Sequence, residues 1–144
     1  MRAYLDTNLY ISYLLKPLGQ SPPSAIIRAG IAGGFTLLFA DPTLHELLGK
    51  VARKAYLMSR IHQEDVDDLL ALLRSRAEYV QHVPDVIPAI SRDIKDDYLI
   101  TYSVMSQADY LVTGDKDLLV LECIQDLLIV TPADFMFLLE HDEE

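Results

Sequence analysis

A chain of 144 residues, 51% hydrophobic and 24% charged, has the size and balance of one globular domain, able to bury roughly 70% of its unfolded surface. No apolar run reaches the roughly 18 to 20 residues of a membrane helix, and Asp6 interrupts any apolar leader, so a soluble cytoplasmic protein is expected. Twelve basic against twenty-two acidic residues give a net charge of -10, the wrong sign for nucleic-acid binding by bulk attraction, although carboxylates neutralised by bound cations would offset part of it and the charge alone does not exclude RNA.

Arg2 to Leu5 is a short, mostly apolar strand ending at Asp6, followed by the polar turn Thr7-Asn8 and a helix carrying Leu9, Ile11, Leu14 and Leu15. Ser21-Pro22-Pro23-Ser24 marks a loop and a helix start, with Ala25, Ile26, Ala29 and Ala32 at helical spacing until Gly33-Gly34 stops it. Phe35 to Phe39 is a second buried strand. Asp41 as N-cap with Pro42 after it opens a third helix, whose apolar stripe is Leu44, Leu47, Leu48, Val51 and Ala52. Gln63 to Ala77 is a further helix, with Val66, Leu69, Leu70 and Leu73 inward.

Tyr79 to Val83 predicts a third strand, Pro84 and Pro88 a loop, and Asp93 the start of a helix running to about Gln107. Asp109 to Thr113 is a fourth strand closed by Gly114. Cys123, the only cysteine, has no disulfide partner in the chain and is expected to be buried and inert. Leu127 to Val130 is the last strand, before a helix opened by Thr131-Pro132; Glu140 to Glu144 is expected to be a short acidic tail. Strands alternate with helices throughout, without repeat or linker, which predicts one three-layer α/β/α domain over residues 1–144 with a parallel sheet covered on both faces.

In such a sheet, ligands bind beyond the carboxyl ends of the strands. Asp6 follows the first strand and Asp115 the fourth, while Glu46 and the Asp96/Asp97 pair occupy opening turns of helices that start near the same edge. Crowded carboxylates raise one another's pKa, so the cluster calls for a cation. Hard oxygen ligands with few histidines suit Mg²⁺ or Mn²⁺, and two such ions can activate a water and stabilise the leaving oxygen of a phosphodiester. Each acid also has a plainer reading. Asp6 could cap the next helix, and Glu46 lies roughly opposite the leucine stripe, as a solvated residue would. Asp97 lies nearer the edge of the stripe of Ile94, Tyr98, Tyr102 and Met105, whereas Asp96 points away; Asp115 and Asp117 could be turn and cap residues. Lys50, Arg53 and Lys54 share one helix face, with Arg60 beyond, and could meet the phosphates of a single strand or simply be solvated.

Taken in order, Leu5-Asp6-Thr7-Asn8, His45-Glu46-Leu47-Leu48, Arg92-Asp93-Ile94-Lys95-Asp96-Asp97-Tyr98-Leu99 and the run from Ala108 through Thr113-Gly114-Asp115-Lys116-Asp117 to Leu119 resemble the four acidic motifs of the PIN domain family. The last two resemble, more narrowly, its branch of toxins from prokaryotic toxin-antitoxin pairs. The resemblance spans almost the whole chain. It implies a Rossmann-like sheet and a Mg²⁺- or Mn²⁺-dependent endoribonuclease acting on single-stranded RNA. Asp6, Glu46, Asp96 or Asp97, and Asp115 would be its metal-site acids, with Asn8, Thr113 and Asp117 in support. Spacing back from Asp115 as in the broader family selects Asp97, whereas the narrower branch favours Asp96. The resemblance further implies a homodimer and an antitoxin partner whose segment occupies the groove.

Other acidic sites fit less well. A haloacid-dehalogenase-like phosphatase needs a second aspartate two residues after the first, where this chain has Asn8. A receiver domain needs an acidic pair at the first strand and an aspartate after the third, which His82-Val83-Pro84 does not supply. The remaining alternative is a PIN fold that binds RNA or a protein without cleaving.

Overall fold

The computed structural model describes residues 1–81 and 94–141, with side chains from Tyr98 onward in the second stretch. Its first half runs β1 (Arg2–Leu5), α1 (Thr7–Leu15), α2 (Pro22–Ile31), β2 (Thr36–Phe39), α3 (Asp41–Arg53), α4 (Ala55–Arg60), α5 (Gln63–Arg76) and β3 (Glu78–Tyr79). The second continues with α6 (Ile94–Met105), β4 (Tyr110–Val112), α7 (Lys116–Leu119), β5 (Cys123–Ile124), β6 (Leu127–Val130) and α8 (Pro132–His141). The strands form a six-stranded sheet in the order β3-β2-β1-β4-β6-β5. All neighbours are parallel except β5, which runs antiparallel to β6.

Central strands are apolar on both faces, and period-two alternation divides their side chains between two cores. β1 sends Ala3 and Leu5 to one side and Tyr4 to the other; β2 splits Leu37 and Phe39 from Leu38, and β4 splits Val112 from Leu111. Strands of this kind are stable only between two helical layers. Leu9 of α1, Ile26 of α2, Leu47 of α3, Leu69 of α5 and Phe135 of α8 cover the first face. Leu99 and Ile100 of α6 and Leu118 of α7 cover the second, completing a three-layer α/β/α fold.

Local sequence explains where α2 starts and stops. Ser21 precedes two prolines at its first turn, and Gly33, at a φ of +90°, ends it in the left-handed conformation that glycine adopts at least cost. Gly30 has a packing role: a Cβ there would stand 2.7 Å from the Leu37 side chain and 2.9 Å from that of Phe35, so a larger residue would require those buried side chains to shift.

Some boundaries move. Asp41 is the first residue of α3 and Ala40 its cap, because the Leu44 amide reaches back to the Ala40 carbonyl at 3.2 Å. The third strand is only Glu78–Tyr79, prolonged by a Val80 amide bond to the Phe39 carbonyl. His82, Val83, the prolines at 84 and 88, and Asp93 lie outside the described residues. The sequence pattern shows no sign of α4, α7 or β5, which are too short to establish a period. Cys123, expected to be buried, is exposed because β5 forms the outer edge of the sheet. Glu140 and His141, expected in a solvated tail, continue α8, where the His141 ring stacks on Phe137; residues 142–144 lie outside the described residues.

Candidate active site

The strand order fixes where ligands should bind. From β1 the chain moves outward through β2 to β3, then returns to place β4 on the other side of β1, so the crossovers diverge between β1 and β4. Leu5 pairs with Val112 at the ends of these two strands, and the Asp6 amide donates to the Val112 carbonyl at 3.0 Å. Asp6 and Asp115 therefore leave neighbouring parallel strands at the same edge of the sheet.

Asp6 is 6% exposed. Its Oδ1 accepts from the Asn8 amide at 3.2 Å, which caps α1, and its Oδ2 accepts from the Thr113 hydroxyl at 2.7 Å. The fully buried Thr113 hydroxyl also accepts from the Asp115 amide at 3.0 Å. Asp115 in turn caps α7 by accepting from the Asp117 amide at 2.9 Å. Capping is thus real for both aspartates and does not exhaust them, since a carboxylate offers about four acceptor positions. Burial raises the Asp6 carboxyl above its usual range; the bonds from Thr113 and Asn8 oppose that shift, Glu46 adds to it and Lys50 subtracts from it.

Glu46 is part-buried and does not stand on the fully solvated face of α3. On α3, Thr43 and Leu47 are buried while Glu46 and Lys50 are part-buried, at the i, i+3, i+4 and i+7 spacing of a single face, whereas Leu48 is 38% exposed. The helix is rolled this way because the Thr43 hydroxyl meets the fully buried Tyr4 hydroxyl at 2.8 Å. Lys50 then reaches Asn8 Oδ1 at 3.3 Å and lies 3.7 Å from Glu46 Oε1. This links α3 to the first turn of α1.

The sequence model of the PIN domain matches residues 2–117, a span holding every residue just described. This chain belongs to the PIN domain family. No curated protein sequence matches it. Membership assigns the site to a nuclease-type fold, a hydrolase at the coarse level. Among the described residues no helix is long and apolar enough to cross a membrane.

The acids of this PIN domain are all oxygen donors, and a buried carboxylate beside a second one suits a hard divalent cation. Among the described residues, however, no three of the His, Cys, Asp and Glu side chains draw together closely enough to hold an ion. Asp96 and Asp97 lie in the first turn of α6, with side chains outside the described residues. The position of that turn is still informative, because Tyr98 follows it directly. The Tyr98 hydroxyl is buried, has the Thr7 and Thr43 hydroxyls as neighbours, and feels the charges of Glu46 and Asp6. The start of α6 therefore lies against the residues that carry Asp6 and Glu46.

Thr7, Thr43, Tyr4 and Tyr98 are the site residues that sequence reasoning missed. Their hydroxyls form a buried polar layer beneath the acids, in which Tyr4 meets Thr43 and Tyr98 has Thr7 and Thr43 beside it. Burial raises the pKa of both tyrosines, so they stay protonated and can donate. One signal was available: in a strand, Tyr4 shares the face of Asp6, two residues on. Of the predicted substrate cations, Lys50 stands at the site. Arg53 lies on α3 but turns back to the Gly49 carbonyl at 3.1 Å, and Lys54 ends the helix in extended conformation. Asp117 is exposed and gives its amide to Asp115.

Proposed function

We propose that this PIN domain is an endoribonuclease that hydrolyses phosphodiester bonds of single-stranded RNA with Mg²⁺ or Mn²⁺. The observation that supports this reading is the buried Asp6 carboxylate, held by Thr113 beside Asp115 at the sheet's switch point. Asp6, Asp115 and one of Asp96 and Asp97 would hold the metal, which when bound supplies the positive charge that activates water and stabilises the leaving oxygen. The Thr113 hydroxyl donates a hydrogen bond to Asp6 and so favours the ionised carboxylate that a cation needs, with acceptor capacity left on each oxygen. Glu46, reaching solvent beside Lys50, orients the attacking water, and Lys50 offers its charge to the phosphate. Within this reading the chain is the toxin of a toxin-antitoxin pair, acting in the cytoplasm as a homodimer and blocked by its antitoxin.

The test is incubation of purified protein with labelled single-stranded RNA in Mg²⁺, in Mn²⁺ and in excess chelator, beside Asp6→Asn. Cleavage by the parent alone, and only with metal, supports the proposal. Persistent cleavage in chelator overturns it, and binding without cleavage favours the non-cleaving PIN module. A small reading frame next to this one, whose product binds the protein and stops cleavage, would support the toxin assignment.

A further inference from the structure

The seventeen residues 47–63 hold four cations, Lys50, Arg53, Lys54 and Arg60, and no acid. They carry +4, so the rest of the chain carries -14. In a chain that repels nucleic acid as a whole, such segregation offers a polyanion one favourable approach. The cations also follow a path. Lys50 starts it at the acid site through its bond to Asn8; Arg53 lies a turn further along α3, Lys54 joins α3 to α4, and Arg60 ends α4. Arg53, Lys54 and Arg60 are exposed.

An aromatic side chain lies on the same path. Tyr56 is 59% exposed, and the Arg60 guanidinium sits 4.5 Å from its ring centroid. Leu57 and Ile61, 6% exposed each, anchor α4 in the core, so this cation-aromatic pair stands on a fixed base. Proteins that hold single strands combine a positive track for the backbone with aromatic and guanidinium planes for the bases. An acidic protein segment would use the cations and gain little from the planes.

The geometry points to a substrate track: single-stranded RNA follows α3 and α4 from Lys50 to Arg60, and one of its bases stacks on the Tyr56–Arg60 pair away from the scissile phosphate. This rests on the reading of RNA as the substrate and adds to it the residues that select an unpaired base.

The experiment measures binding of a labelled single-stranded oligoribonucleotide to the full chain by fluorescence anisotropy, in chelator so that no cleavage intervenes. Tyr56→Ala is expected to weaken binding roughly 10-fold, while Tyr56→Phe, which keeps the ring, retains it. Arg60→Gln is expected to weaken binding and to reduce the salt slope by about 0.7, the share of one phosphate contact on a single strand. On an abasic strand of equal length, parent and Tyr56→Ala should bind alike. Binding by Tyr56→Ala as tight as by the parent overturns the track, and so does an equal loss on the abasic strand, which a merely structural role would produce. If the alanine variant fails to fold, Tyr56→Leu, which keeps an apolar side chain of similar reach without an aromatic face, carries the test on the two strands. A parent that binds no RNA overturns the track together with RNA as the substrate. A parent that binds and cleaves, with Tyr56→Ala unimpaired, overturns the track alone.

Discussion

Thr113 and Asp6, 107 residues apart in the chain, are joined by a buried hydrogen bond of 2.7 Å from the threonine hydroxyl to the carboxylate. The same hydroxyl accepts from the Asp115 backbone amide, so a single oxygen links the Asp6 carboxylate to the main chain at Asp115. Thr113→Val keeps the shape and removes both bonds, leaving a buried carboxylate and an amide without their partner. The expected loss is about 1 to 3 kcal/mol, or roughly 3 to 10 °C in melting temperature, with Thr113→Ser close to the parent. Thermal melts of the three proteins check this, and a valine variant as stable as the serine one would contradict it.

Asp6→Asn separates a ligand from a cap. Asn caps a helix nearly as well as Asp, so the metal-free variant should be as stable as the parent or more stable, since it no longer buries a charge. A divalent ion that binds only the folded parent adds ~2.7 kcal/mol at a hundred times its dissociation constant, and the variant should gain much less. Equal shifts in melting temperature on adding millimolar Mg²⁺ or Mn²⁺ would remove Asp6 from the ligand set.

The raised Asp6 carboxyl makes a prediction in pH. Its folded value lies above the ordinary 3.8, chiefly through burial, so between the two values the folded state binds more protons than the unfolded one. Stability from this group therefore falls as pH rises through the window and is recovered as pH drops. Metal-free parent should gain on Asp6→Asn as pH is lowered from neutrality toward about 4, and parallel melting curves for the two proteins over that range would refute the assignment.

The third acid is open to direct substitution. Tyr98 brings the first turn of α6 against Thr7 and Thr43, and that turn carries Asp96 and Asp97. Asp96→Asn or Asp97→Asn should abolish cleavage with the melting temperature retained. Full activity in both single variants would exclude this helix from the site.

Much of this protein can be read along the chain. Alternating strands and helices determine the α/β class, and the short apolar strands ending at Asp6 and before Asp115 put both acids at strand ends, because period, caps and breakers are local properties. Which strands become neighbours is not local. Only folding sets β4 beside β1, and with it the bond from Thr113 to Asp6 and the crevice at the switch point. The roll of α3 is a second such case. Its leucines suggest one buried face, yet the helix buries Thr43 and turns Glu46 and Lys50 toward Asp6, because the Tyr4 hydroxyl beneath it needs a partner. An unpaired buried hydroxyl costs about 1 to 3 kcal/mol, comparable to the gain from burying one more leucine, and the partner that relieves it comes from a distant part of the chain.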